Sequence, residues 1–269
     1  MKIVETFLCG KENNPQTCED GILVKDNMVV VIDGVTAKGK RLWNGMSSGC
    51  FAKDILIEYM QNNDVEQYDA LELLVHLDKV LTKAIKNASA PVEIEDYPRA
   101  GIILYNNLFQ EVWSYGDCQC RIREQVHSHR KEIDCINGEV RANVLEEYIA
   151  NGYTVAELMK NDVGRIAIRQ NLISQFDYEN KLLEYGYPVL NGQGIEASMI
   201  KRYKVNSGDM IILASDGYPN LKEDLASSEQ ELKRILQEDP LCFREYRSTK
   251  GLVDGNVSYD DRAFCRIEV

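Results

Sequence analysis

Two carboxylates in this chain stand at the ends of near-continuous apolar runs, each followed by glycine. Met28-Val29-Val30-Val31-Ile32 stops at Asp33-Gly34, and Met210-Ile211-Ile212-Leu213-Ala214 leads through Ser215 to Asp216-Gly217. Apolar runs of this kind suit strands buried on both faces, and the glycine lets the backbone turn sharply beside the acidic side chain. Two strands that carry two aspartates to one place make a site for a hard cation, because carboxylate oxygens suit Mg²⁺ or Mn²⁺. Asp-Gly is also an ordinary turn dipeptide and occurs four times, at Asp20, Asp33, Asp216 and Asp254. The strand context, not the dipeptide, carries the reading.

Other reactive side chains have plainer explanations. His127 and His129 share the spacing of a transition-metal pair but lie in a charged stretch ending in Arg130-Lys131, which reads as a solvated loop. His76 falls within a long helix with no partner nearby in sequence. The eight cysteines form no CxxC pair and lie mostly in regular segments, so they read as reduced, buried thiols. Cys118 and Cys120 point to one face of an extended run and fill core. Lys38, Lys40 and Arg41 form a basic loop that is solvated or meets phosphate.

The elements that must position these groups follow from periodicity. Ile3 to Cys9 reads as an edge strand, and Gly21 to Val24 with Met28 to Ile32 as a hairpin. Ser47 or Ser48 caps a helix through Phe51, Ala52, Ile55, Leu56 and Tyr59. A second helix runs from Ala70 to Ile85 with a wide apolar stripe. Ala100 to Tyr105 and Leu108 to Tyr115 form a hairpin turning at Asn106-Asn107 and leading to Gly116-Asp117, and Cys118 to Arg123 is again extended. From about residue 140 to 183 the composition turns helical and charged, which reads as a helical insertion or flap. Met199 to Val205 and Met210 to Ala214 are strands around the turn Asn206-Ser207-Gly208-Asp209. Lys222 to Gln237 is an amphipathic helix, and Arg262 to Val269 alternates as a last strand.

At 269 residues and 44% hydrophobic composition, with no linker or repeat, the chain reads as one domain, 1–269. Its 43 acidic against 31 basic residues give a net charge of −12, which argues against nucleic acid or an anionic membrane as partner. No run approaches a membrane span, and Met1-Lys2-Ile3-Val4-Glu5 lacks a signal-peptide core, so a cytoplasmic location is the expectation.

Taken in order, Glu19-Asp20, Val31-Ile32-Asp33-Gly34, Ser48-Gly49-Cys50-Phe51-Ala52, Gly116-Asp117-Cys118, Leu213-Ala214-Ser215-Asp216-Gly217 and Asp260-Asp261 before the final strand resemble the protein phosphatase 2C (PPM) family of metal-dependent serine/threonine phosphatases, as a divergent bacterial-type member. The resemblance implies an α+β fold, a four-layer αββα sandwich of two mainly antiparallel sheets flanked by helices, with two or three Mn²⁺ or Mg²⁺ ions at one end. Asp33 matches the carboxylate that bridges two metals, and Gly34 the residue whose carbonyl binds one of them. Asp216 and Asp260 match the ligands of the other metal, with Asp261 as the alternative to Asp260. Asp117 matches the ligand of a looser third ion, and Glu19 and Asp20 the pair that orders metal-held water. Catalysis would use a water activated at the site of Asp33, Asp216 and Asp260. The implied partner is a phosphoprotein, met by a monomer.

Three departures mark the chain. Val35 stands where the family has a histidine, Asn13 to Gln16 stand where it has a phosphate-gripping arginine, and Thr36-Ala37-Lys38 replace glycines. Lys11 and Lys38 are the basic residues left near those positions to meet substrate phosphate. The altered loop also admits a small phosphoester as substrate, and a non-catalytic, partner-binding relative is the third reading.

Overall fold

The computed structural model describes residues 1–269 throughout. In chain order, β1 (Lys2–Cys9), β2 (Asp20–Val24) and β3 (Met28–Gly34) precede α1 (Ser48–Asn62) and α2 (Ala70–Lys86). Four strands follow: β4 (Ala100–Asn106), β5 (Glu111–Tyr115), β6 (Gln119–Ile122) and β7 (Gln125–His127). A helical stretch holds α3 (Glu132–Ala150), α4 (Val155–Lys160), α5 (Val163–Ala167) and α6 (Arg169–Ser174). The chain ends with β8 (Lys201–Lys204), β9 (Met210–Ala214), α7 (Leu225–Glu238) and β10 (Arg262–Glu268).

The strands form two five-stranded sheets, β1-β10-β9-β6-β7 and β2-β3-β4-β5-β8, with every strand pair antiparallel. Residues alternate across a strand, so β3 serves two cores at once. Val29 and Val31 meet Cys118, Cys120, Leu213 and Cys265 between the sheets, whereas Val30 and Ile32 pack with Leu56, Leu73 and Leu77 of α1 and α2. That double duty is why the run is apolar without interruption. On the far side, Ile212, Ala214 and Phe264 lie under Tyr218, Leu221 and Leu225, the last at the start of α7. The four layers are therefore helix, sheet, sheet, helix, as the sequence implied.

Caps set the helix starts. Ser47 Oγ accepts from Cys50 N, and Asp69 with Glu72 makes a reciprocal box at α2. Four details differ from the sequence reading. The β4–β5 turn spans residues 107–110, because Asn106 still pairs with Glu111. The turn at 206–209 closes no hairpin: it carries the chain from the exposed edge strand β8 of one sheet to the central β9 of the other. β7 is a short, exposed strand that the charged sequence around His127 concealed. The helical stretch begins at Glu132 and ends, after a 3₁₀ turn, at Tyr178, so it starts earlier than residue 140.

Candidate metal centre

Both sheets feed acids to one end of the sandwich. Asp33 is in the last turn of β3, opposite Asp20 on one side and Gly101 on the other. Asp117 sits on the crossing from β5 to β6, Asp216 just beyond β9, and Asp260 just before β10. Asp33, Gly34, Asp117 and Asp216 line a cavity of about 260 Å³. The glycines after Asp33 and Asp216 are sterically required. A Cβ at Gly34 would lie 2.4 Å from Gly49 O and one at Gly217 2.0 Å from Asp261 O, so any side chain would push the neighbouring carboxylate out of place.

Charge is unevenly compensated. Burial, then the charge of Asp216 and the other acids, raises the Asp33 pKa well above the ordinary carboxylate value. Burial, then Asp260, pushes Asp216 up to about 7, with Lys250 opposing. Asp20 is likewise raised, by burial first, against a hydrogen bond with Ser215, and its Oδ2 is buried with no partner. Asp260 goes the other way: burial favours its neutral form, but Lys250 and Lys11 outweigh it and lower the pKa. Lys250 Nζ pairs with Asp260 Oδ2, and Lys131 Nζ lies 2.5 Å from Asp117 Oδ2.

The residues fit a hard dication in kind. Asp33 and Asp216 converge without a lysine or arginine partner, and the orphaned Asp20 Oδ2 waits beside them for a donor such as ordered water. As the side chains stand, no three acids, thiols or imidazoles are close enough together to hold an ion.

One consequence is a pH dependence of the metal-free protein. Asp33, Asp20 and Asp216 have folded-state pKa values above the ordinary 3.8, so the folded chain keeps protons that the unfolded chain releases. Stability contributed by these groups therefore falls as pH rises from about 4 through about 7. The depressed Asp260 acts oppositely, losing its contribution as pH falls through its folded pKa below 3.8, outside that window. In chelator, the thermal midpoint is expected to drop by roughly 3 °C or more between about pH 5.5 and 7.5. Saturating Mn²⁺ should remove the drop. A midpoint that climbs steadily over that range in chelator contradicts the charge assignment.

The other residues singled out by sequence fall into distinct places. Glu19 is spoken for by protein groups: Ser47 Oγ donates to its Oε1 at 2.7 Å, and Thr36 Oγ1 and Lys11 Nζ donate to Oε2. Asp261 accepts from Lys11 N, Lys11 Nζ and Glu19 N, and so fastens the loop before β2, leaving Asp260 as the acid electrically coupled to Asp216 and Asp33. Lys11 faces these acids and is not on the cavity wall. Lys38 is on the wall, donates to Thr36 O at 2.7 Å, and is lowered to about 7 by burial, then by Arg165 and Lys250. Val35 also lines the cavity, while Arg41 turns away to Ala90 O, Pro91 O and the Trp43 ring.

The solvated-loop reading of the histidines is corrected for His129. Its Nδ1 is 2.7 Å from Cys118 O and its Nε2 2.7 Å from Tyr203 OH, which builds it into the sheet edge, and the His127 ring lies tilted against the same tyrosine. His76 stacks on Tyr68 in α2's environment. Cys118 and Cys120 are core, as expected. Sequence reasoning missed Lys131, Lys250 and Arg165 on the cavity wall. Only the Arg130-Lys131 charge pair offered a signal, and it reads equally well as solvent-facing.

No protein-family model matches the sequence, and no curated relative matches it either. Solved structures do. The serine/threonine phosphatase Stp1 from Staphylococcus aureus aligns over 100% of this chain and 95% of its own at 14% identity, with a TM-score of 0.52. The serine/threonine phosphatase PstP/Ppp from Mycobacterium tuberculosis aligns over 99% and 98% at 13% identity, with a TM-score of 0.49. At such identity the first likeness establishes fold alone, and nothing rests on the second. The fold expected from the phosphatase 2C resemblance is the fold of this chain. No helix is long and apolar enough to cross a membrane.

Proposed function

We propose that this chain is a metal-dependent phosphatase that hydrolyses phosphoserine and phosphothreonine in proteins. The observation that carries the reading is the convergence of Asp33 and Asp216, one from each sheet, without a lysine or arginine partner on the floor of a cavity whose wall carries Lys38, Arg130 and Arg165. Asp33, Asp216 and Asp260 with the Gly34 carbonyl would hold the principal ions, Asp117 a third, and Glu19 and Asp20 would act through water. When bound, Mn²⁺ or Mg²⁺ supplies charge compensation to a phosphoryl group and acidifies water.

The chain's own residues do the rest. Arg165 brings positive charge to the cavity from α5, joined by Lys38 of the 36–41 loop in its protonated form, and so takes over the attraction for phosphate that the asparagines of the first loop cannot provide. Val35 brings no proton to the leaving group, while the Tyr246 hydroxyl, raised above the usual phenol range chiefly by burial, keeps its proton on the wall, and Tyr259 donates its own to Asp216 O at 3.0 Å. The stretch from Glu132 to Tyr178 contributes Asp134, Arg165, Leu172 and Gln175 to the same wall, which supports its reading as a flap within a single domain. All eight thiols are unpaired, which supports a reducing, cytoplasmic setting, and a monomer is the working state.

A second reading has its own support. Lysines already neutralise Asp117 and Asp260, as suits a partner-binding protein of this fold. The deciding experiment assays the purified chain on a phosphothreonine peptide and on p-nitrophenyl phosphate, with Mn²⁺ and with chelator. Mn²⁺-dependent turnover of the peptide above that of the small ester is expected. Turnover of the ester alone assigns a small-molecule substrate, and none on either assigns the non-catalytic role.

A further inference from the structure

The acids at the centre divide into two pairs. Asp33 and Asp216 meet no ammonium or guanidinium, whereas Asp117 and Asp260 each do. Lys131 is the N-cap residue of α3, and its ammonium is 2.5 Å from Asp117 Oδ2, 3.8 Å from Asp134 Oδ2 and 5.1 Å from the Tyr187 ring centre. Its side chain is 10% exposed, so it is fixed by its surroundings and does not wave in solvent. Lys250 lies on the loop before β10 beside Gly251, where an added Cβ would stand 2.5 Å from Leu241 O. That loop is held tightly enough to aim the ammonium at Asp260. Both lysines line the cavity.

Resting on the phosphatase reading, we propose that Lys131 and Lys250 are resident counter-ions of the metal centre: a first divalent ion enters at Asp33 and Asp216 with no ion pair to break, whereas any further ion at Asp117 or Asp260 must displace a lysine. An ammonium and a dication cannot share one carboxylate at contact distance in a buried site without strong repulsion, because charges that close are poorly screened. Each ammonium is tethered to the chain and always present, so it competes at every metal concentration. Lys131 Nζ is at ion-pair distance from Asp117 and Asp134, and Lys250 Nζ from Asp260. The competitors are therefore cations. The arrangement gives the chain a graded occupancy, one ion held readily and the others only when metal is abundant, and it keeps the metal-free fold from carrying four adjacent uncompensated carboxylates.

The test uses the full chain with Mn²⁺ alone as probe, by titration calorimetry and by thermal midpoints in chelator and in Mn²⁺. Wild type is expected to bind one ion tightly and further ions weakly. Lys250→Gln and Lys131→Gln, which keep a hydrogen-bond donor and remove the charge, should tighten the weak phase at least about tenfold and enlarge the Mn²⁺-induced rise in midpoint. Lys204→Gln, which removes an exposed lysine paired with Glu111 on the edge strand β8, should leave both readings unchanged. If Lys131→Gln does not fold in chelator, Lys250→Gln decides alone. Wild-type binding that is equal or weaker in the glutamine variants overturns the counter-ion role and leaves the metal-dependent reading standing. Binding by the variants but not by wild type supports the counter-ion role and removes metal dependence from the wild-type chain. No binding by any of them overturns both.

Discussion

Asp33→Asn is expected to lower Mn²⁺-dependent phosphatase activity at least about a hundredfold, roughly 3 kcal/mol of transition-state stabilisation. The substitution keeps shape and removes one of the two carboxylates that form no ion pair in the protein, so the centre loses the charge that draws an ion in. Folding should respond in the opposite sense. Burial and the charges of Asp216, Asp20, Asp117 and Asp260 all disfavour ionised Asp33, so in chelator near neutral pH the amide variant should melt at or above the wild-type midpoint. Asp117→Asn should cost less activity, about tenfold, because that acid is already paired with Lys131. Initial rates over a Mn²⁺ series, with midpoints in chelator, check all three expectations. Full Mn²⁺-dependent activity in Asp33→Asn removes the proposed mechanism.

What the sequence made legible is what is local and periodic. The β3 run could be read because its alternate residues fill two cores, leaving no polar position from Met28 to Ile32, and the acid at its end then stands out. The cap at Ser47 and the last strand were legible from equally local patterns. The choice between Asp260 and Asp261 was not, since neighbours in sequence differ only in where the fold points them. Lys11 and the Glu19 amide claim Asp261, and Lys250 claims Asp260. Lys131 and Lys250 were invisible because long side chains on loops take their partners from tertiary placement, and the same residue types on the same loops read as solvated. His129 was misread because it lies in a charged stretch beyond the three-residue β7, too short for a period to show, while its hydrogen bonds reach Cys118 and Tyr203.

The largest stability effect is expected away from the carboxylates, at Arg141 of α3. Its side chain is fully buried, and its guanidinium donates to Leu241 O at 2.8 Å, Cys242 O at 3.2 Å, Ser248 O at 3.0 Å and, from Nε and Nη2, to Asp162 Oδ2. One side chain thus pins the loop that leads to Lys250 against the helical stretch, and Ala142 and Leu145 pack on Leu241 and Phe243 beside it. Arg165 adds a second tie, from α5 to Thr249 O at 2.6 Å. Arg141→Ala would leave the Leu241 and Ser248 carbonyls without a side-chain donor and strip Cys242 O and the partly buried Asp162 of one donor group each, at a cost of about 3–5 kcal/mol. For a chain of this size that is a fall in midpoint of roughly 6 to 20 °C. Arg247→Ala, on the same loop, is the contrast. Its ion pairs with Glu139 and Glu146 join side chains 37%, 54% and 51% exposed, and such surface pairs contribute about 1 kcal/mol at most. Arg141→Lys should recover only part of the loss, because one ammonium cannot reach the carbonyls and Asp162 together. Since the same loop aims Lys250 at Asp260, Arg141→Ala should also blunt the difference between wild type and Lys250→Gln in Mn²⁺ titrations run well below its midpoint. Equal midpoints for Arg141→Ala and Arg247→Ala would mean that the loop is held by its apolar contacts alone, and that the helical stretch can move off the cavity without breaking a buried polar network.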